Sequence, residues 1–184
     1  MTASVPRTFR MLAMPAALAE QGFVLRPEGE ADIPFLRHLY LSTRWDELAP
    51  IMDWSLEQKI AFSDSQFGLQ RHHYYTYYPI TDWAVLEQHG TPVGRIYLER
   101  QPDAINMLDI ALLPEWRGRG IGTALIEAAL AEAGAAGQVV VIMVEKNNPR
   151  AYRLYERLGF RQTADEGMHF TMEWRPEADV RAAE

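Results

Sequence analysis

Cysteine is absent from all 184 residues, which excludes disulfides, thiolate metal sites and a covalent acyl-cysteine intermediate. Positive charge is also scarce: 18 Lys and Arg face 25 Asp and Glu, leaving a net charge of -7. A phosphate backbone has to be met by clustered positive charge, so no nucleic-acid partner is expected and any anion must be bound locally. No apolar run approaches the ~20 residues of a membrane span, so no membrane partner is expected. None of the five serines lies in a G-x-S-x-G turn, which removes the nucleophile elbow of a hydrolase. His72 and His73 lack carboxylate or histidine partners at ligand spacing, so no metal is expected.

What remains is 48% hydrophobic, enough to give one domain of ordinary size a full core. Residues 23–175 read as that domain, residues 1–22 as an N-terminal extension and residues 176–184 as a polar tail. The stretch "RTFRMLAMPAALAE", with two arginines, a short apolar run and Ala17-Leu18-Ala19, has the outline of a secretory signal. The reading preferred here is an extension that packs on the domain. A chain without cysteine fits a cytoplasmic home.

Along the domain, residues 23–26 form an apolar strand candidate, and Asp32 is a candidate cap for a helix carrying Ile33, Phe35, Leu36, Leu39 and Tyr40. "LSTRWDELAPIMDW" reads as a connection. Residues 54–75 read as a second helix, which Pro79 ends. Residues 83–88 and 93–100 flank "HGTP" as a hairpin, and residues 105–113 add a third strand. A loop at 114–119 leads into a helix over 120–133, closed by Gly134 and Gly137. "QVVVIMV" has the continuous apolar character of a central strand buried on both faces. In "NNPRAYRLYERLGF", Asn148 reads as an N-cap, Pro149 as the first helical residue and Gly159 as the stop. Residues 160–163 and 168–174 read as two last strands around "ADEG".

The informative stretch is "PEWRGRGIGTALIEAAL", in which glycines at 118, 120 and 122 run straight into an apolar helix. A strand, a glycine loop and a helix start leave several backbone N–H groups pointing one way, at the positive end of a helix dipole. Such a loop suits a phosphate, because a side chain there would hold the anion off the backbone, and Arg117 and Arg119 add permanent charge. A surface turn with two solvated arginines is the plainer alternative. A Walker loop needs a lysine and a hydroxyl residue after its last glycine, whereas Thr123 and Ala124 follow Gly122, so ATP or GTP is not indicated. The G-x-G-x-G spacing also departs from the G-x-G-x-x-G of a dinucleotide fold.

Arg117, Gly120 and Gly122 make the pattern R-x-x-G-x-G, and the chain there resembles the GNAT superfamily of N-acetyltransferases. Asn148, Ala151, Leu154, Tyr155, Gly159 and Phe160 resemble that family's N-x-x-A-x-x-L-Y-x-x-x-G-F segment, in the family's order and with a strand between the two motifs. The resemblance is specific from about residue 105 to residue 160. It implies an α/β GNAT-type acyl-CoA N-acyltransferase fold, with a central mixed, twisted sheet of about six to seven strands flanked by helices. It implies acetyl-CoA as cosubstrate and direct transfer of the acetyl group to an amine of a small molecule or peptide. It also implies a homodimer as an open expectation, since relatives often dimerise.

By the same resemblance, the backbone of Ile110, Ala111 and Leu112 would pair with the pantetheine amides. The pyrophosphate would rest on Arg117 and on the backbone of Gly118, Arg119, Gly120, Ile121, Gly122 and Thr123. Tyr155 would be the general acid that protonates the departing thiolate; otherwise it packs on the sheet. Asn148 would touch the cofactor, or serve only as an N-cap. The glutamate that ribosomal-protein alanine acetyltransferases place five residues before the motif asparagine is replaced by Met143. Asp109, Glu99, Glu145 and His73 are therefore base candidates by type. Asp109 is taken as the base for its closeness to the strand splay, its alternative being a pair with an arginine. Arg44, Trp45, Tyr75 and Tyr78 are the acceptor-site candidates, with closure of the core as the alternative for the tyrosines. A CoA-binding sensor or interaction module without chemistry is the rival function.

Overall fold

The computed structural model describes residues 10–176; residues 1–9 of the extension and 177–184 of the tail lie outside the described residues. The elements run α1 (Ala16–Ala19), β1 (Phe23–Pro27), α2 (Ile33–Leu48), α3 (Leu56–Tyr77), β2 (Thr81–Gln88), β3 (Thr91–Arg100) and β4 (Ala104–Leu112). They continue with α4 (Ile121–Ala135), β5 (Val139–Glu145), α5 (Pro149–Arg157), β6 (Arg161–Glu166) and β7 (His169–Trp174). One seven-stranded sheet has the order β1-β2-β3-β4-β5-β7-β6. All its pairings are antiparallel except β4 with β5, which is parallel and bridged by the α4 crossover.

Period-two alternation in the strands decides the two faces. Ala84, Leu86, Ile96, Leu98, Ile105, Met107, Val140 and Ile142 form one core with Ile121, Leu125, Ile126 and Ala129 of α4 and Tyr155 of α5. Leu12 and Leu18, before β1, are buried in the same core. On the opposite face α2 and α3 pack through Leu36, Tyr40 and Phe67, and Leu39 meets Ala111 and Leu113. Tyr75 of α3 stacks on Trp83 at 4.7 Å, and Trp83 meets Tyr97 edge-on at 4.7 Å. Trp174, near the end of the described chain, lies where a Cβ on Gly134 of α4 would be 3.5 Å away and one on Gly159 after α5 3.3 Å away.

Three expectations are corrected. The segment read as a connection is helical as far as Leu48: the Ser42 and Thr43 hydroxyls donate back to the carbonyls of Leu39 and Tyr40 at 2.7 Å, so both polar residues are satisfied inside the helix. Asp32 does not cap α2 with its side chain; its carboxylate accepts from Arg26 and from the Gly29 amide. β5 lies inside the sheet but is not buried on both faces: Val140, Ile142 and Val144 are buried, while Met143 is 52% exposed. The second helix starts where Ser55 and Gln58 form a capping box, and it ends at Tyr77.

Candidate active site

The site grows from one irregularity in the sheet. β4 pairs with β5 only over residues 104–107 against 139–142, although β4 runs on to Leu112 and β5 to Glu145. The divergence begins beside a bulge: Tyr97 faces Asp109 and Leu98 faces Met107, which leaves Leu108 as the extra residue. A bulge bends its strand and increases the local twist. Tyr74 of α3 donates to the Leu108 carbonyl at 3.1 Å, and Arg117 Nε donates to the Leu112 carbonyl at 2.8 Å. Between those two carbonyls, Asp109, Ile110 and Ala111 have no strand on the β5 side. An extended, amide-bearing chain can add there as a strand would. Of the three residues expected to take such a chain, Leu112 already has its carbonyl occupied.

At the end of β4 the loop turns through residues 114–116 into α4. Gly118 and Gly120 sit at φ 72° and 80°, in the left-handed region where side chains strain, and Gly120 is the N-cap of α4. A Cβ on Gly120 would meet nothing within 4 Å, one on Gly122 only a Leu112 methyl at 4.0 Å, and one on Gly118 only Arg150 Nη2 at 3.8 Å. The glycines therefore border open space, with the free N–H groups of a 15-residue helix behind them. Nothing but hydrogen at these positions lets a bulky anion reach the backbone.

The two loop arginines differ. Arg117 turns inward: besides Leu112, it donates to the Ser42 carbonyl at 3.2 Å and hydroxyl at 3.0 Å, tying the end of β4 to α2. Its pKa is lowered, first by burial, with Arg150 adding to the effect and Asp46 and Glu115 opposing it. Arg119 lies over the Trp116 ring at 5.0 Å. Asn148 caps α5, its side-chain oxygen accepting from the Ala151 amide at 3.0 Å.

Tyr155 projects from α5 toward the divergence. It is 6% exposed, packs on Phe160 at 5.5 Å, and its hydroxyl has no hydrogen-bond partner among the described residues. Burial pushes its pKa up, and the negative charge of Asp109 pushes it further in the same direction. The two catalytic candidates are thus within electrostatic reach of each other.

Asp109 Oδ2 accepts from Arg95 Nη2 at 2.6 Å, while Oδ1 has no hydrogen-bond partner among the described residues. Arg95 is 2% exposed, lies over the Tyr97 ring at 4.9 Å and also donates to Gln70 at 3.0 Å. The pKa of Tyr40 is raised chiefly by burial, and the charges acting on it are those of Arg44, Glu145, Arg95 and Asp109. Tyr40 is thus within electrostatic reach of both ion pairs. Sequence reading missed Arg95; its signal was a single arginine inside the otherwise uncharged "VGRIYL", alternating onto the face of Tyr97.

The other base candidates are engaged elsewhere. Glu99, 4% exposed, accepts from Asn106 at 2.8 Å near the closed end of the β4–β5 pairing. Both Glu145 oxygens accept from Arg44 at 2.8 Å. His73 stacks on Tyr77 at 4.7 Å near the end of α3. The four acceptor candidates do not line one pocket. Arg44 reaches across from α2 to the end of β5, and Trp45 lines a separate notch with His38, Pro114 and Arg117. Tyr75 and Tyr78 join the aromatic packing around Tyr74 and Trp83. Among the described residues no group of three or more His, Asp or Glu is placed to hold a metal ion, and no helix is long and apolar enough to cross a membrane.

Comparison with known proteins agrees with this geometry. An uncharacterized N-acetyltransferase of Methanocaldococcus jannaschii is 35% identical over 86 residues, 42% of this chain and 38% of that protein. The mycothiol acetyltransferase of Nocardiopsis dassonvillei is 39% identical over 72 residues, 39% of this chain and 18% of that protein. The matched stretches are thus well under half the length of either relative. Among solved structures, PaiA N-acetyltransferase from Thermoplasma acidophilum in complex with coenzyme A is alike in fold, with TM-score 0.63 and 19% identity over 83% of this chain and 98% of that one. Arabidopsis thaliana Naa50, in complex with the bisubstrate analogue CoA-Ac-MVNAL, gives TM-score 0.53 and 15% identity over 83% and 98%. The model of the acetyltransferase (GNAT) family matches residues 45–160. That span is more than half of the chain and holds the glycine loop, the diverging strands and Tyr155, so this protein belongs to the acetyltransferase (GNAT) family.

Proposed function

We propose that this acyltransferase moves the acetyl group of acetyl-CoA directly to an amine. The observation that supports the reading best is the divergence of β4 from β5, which leaves Asp109, Ile110 and Ala111 without a strand on the β5 side, beside the open glycine cradle. Acetyl-CoA supplies an activated thioester, and the residues present fit it: a strand edge for amides and a ring of free N–H groups for a diphosphate. PaiA in complex with coenzyme A and Naa50 in complex with the bisubstrate analogue CoA-Ac-MVNAL share this fold, which supports a CoA ligand here.

Tyr155 acts as the acid. Its phenol is protonated at neutral pH, as an ordinary phenol is, and so has a proton to give to the sulfur as a thiolate develops there; burial and Asp109 raise its pKa further. Asp109 Oδ1, the oxygen that Arg95 leaves free, receives the proton lost by the amine. Tyr40 and Arg44 flank the approach of the acceptor, and no acyl-enzyme forms. The test is acetyl-CoA-dependent thiol release over a panel of polyamines, amino acids, aminoglycosides and peptides, with Tyr155→Phe as control. Turnover of one acceptor class, slowed in the variant, is the expected result. Acetyl-CoA binding with no turnover on any acceptor would favour the sensor reading.

A further inference from the structure

We infer that Arg150, on the first turn of α5, supplies the side-chain charge that holds the diphosphate of the CoA ligand, and that Arg117 has a structural task instead. The inference rests on the CoA reading proposed above, and it changes which residue neutralises the anion.

Arg117 is the arginine that the loop motif would nominate. In the fold its Nε is spent on the Leu112 carbonyl and its Nη2 on Ser42, which leaves only Nη1 for any ligand. Both partners belong to the protein's own frame, so turning this guanidinium toward a phosphate would unpair the end of β4 from α2. Arg119 lies over the Trp116 ring at 5.0 Å. Arg150 has no hydrogen bond, ion pair or ring contact among the described residues, yet its Nη2 comes closer than any other atom to the space a Gly118 side chain would fill. A long cationic side chain with no protein partner, placed against a glycine that leaves room for something larger, is arranged for an external anion.

The placement follows from topology. The glycine loop leaves the end of β4 and α5 follows the end of β5, so the parallel pair brings both to the same end of the sheet, one on each side of the divergence. A diphosphate lying on the loop's N–H groups would have Arg150 facing it from the α5 side. Arg150 lies five residues before Tyr155 on the same helix, so the clamp on the diphosphate and the acid that works at the thioester move as one rigid piece.

The test is equilibrium binding of CoA and of dephospho-CoA, which keeps the diphosphate and lacks the 3′-phosphate, to the full chain and to Arg150→Gln, Arg150→Lys and Arg119→Gln. The expected result is that Arg150→Gln weakens both ligands by the same factor, about 10- to 100-fold, as the loss of a charge-assisted contact predicts. Arg150→Lys should recover part of that loss, Arg119→Gln should cost less than about threefold, and the dependence of affinity on salt should become shallower in Arg150→Gln. Unchanged affinity in Arg150→Gln, with an unchanged circular dichroism spectrum, would overturn the inference. A loss confined to CoA with dephospho-CoA unaffected would overturn it too, because Arg150 would then read the 3′-phosphate. If neither ligand binds the unaltered chain, it is the CoA reading that has failed.

Discussion

The two ends of the sheet are built to different standards. β2 and β3 are covered on both faces, by α2 and α3 on one side and the α4 core on the other, and Val85, Leu86, Ile96 and Leu98 are at most 2% exposed. From β5 to β6 only one face is covered: Met143 is 52% exposed and β6 is exposed at five of its six positions. Four residue pairs join the halves. A sheet sealed throughout would have no place for a ligand to add a strand, and one open throughout would not hold a catalytic hydroxyl to fractions of an ångström. The proposed site lies at the seam because there a tightly packed half meets a half whose edge has been left free.

The largest effect should come from the seam itself. Tyr155→Phe removes a proton donor while keeping the ring's packing on Phe160, and kcat should fall by ~10²- to 10⁴-fold with CoA affinity nearly intact. A loss below tenfold would mean that the buried hydroxyl is only packing. Within the sealed half, Gly94→Ala sets a Cβ about 2.5 Å from the Ala111 carbonyl oxygen, backbone against backbone. It should destabilise the fold by ~3 kcal/mol or more, read by denaturant midpoint. Alkaline pH separates the halves in another way. Burial raises the pKa values of Tyr40, Tyr74, Tyr97 and Tyr155, so the folded state keeps protons that the unfolded chain gives up above pH ~10. These groups add stability that is fully present below pH ~10 and is lost as pH rises beyond it. A titration of phenolate absorbance should show these tyrosines ionising only as the protein unfolds.

The smaller effects belong to the seam's rim and the open half. Arg44→Ala removes a half-exposed pair with Glu145 and should cost ~1 kcal/mol or less, while altering the acceptor KM more than kcat. Met143→Thr should stay within ~0.5 kcal/mol, against ~2–5 kcal/mol for Leu98→Ala in the sealed half. A cost at Met143 equal to that at Leu98 would mean that the open face is covered in solution.

Where the physics is local, the sequence was readable. The glycines before α4, the Asn148-Pro149 start of α5 and the stop at Gly159 are set by cap and turn chemistry a few residues wide, and each falls where its signal predicts. The extent of α2 was not legible, because Ser42 and Thr43 read as connection residues until their hydroxyls are seen turned back on the helix. Asp109 was picked for its place on the third strand, but its partner Arg95 depends on how β3 registers against a bulged β4. The closeness of Arg150 to the space beside Gly118 depends on the loop after β4 and the start of α5 lying at the same end of the parallel β4–β5 pair. Arg117 shows the opposite failure: its motif is plain, yet its donors are claimed by Ser42, 75 positions earlier.

Trp174 gives the domain a built-in spacer. Its six-membered ring lies beside Gly134, near the C-terminal end of α4, and its five-membered ring beside Gly159, just past α5, so a single indole keeps those two helix ends apart. A residue of the last strand, outside the candidate site, thereby sets their spacing from behind. Shaving that ring to leucine would change none of the site's own residues and would still let the two helices next to them shift.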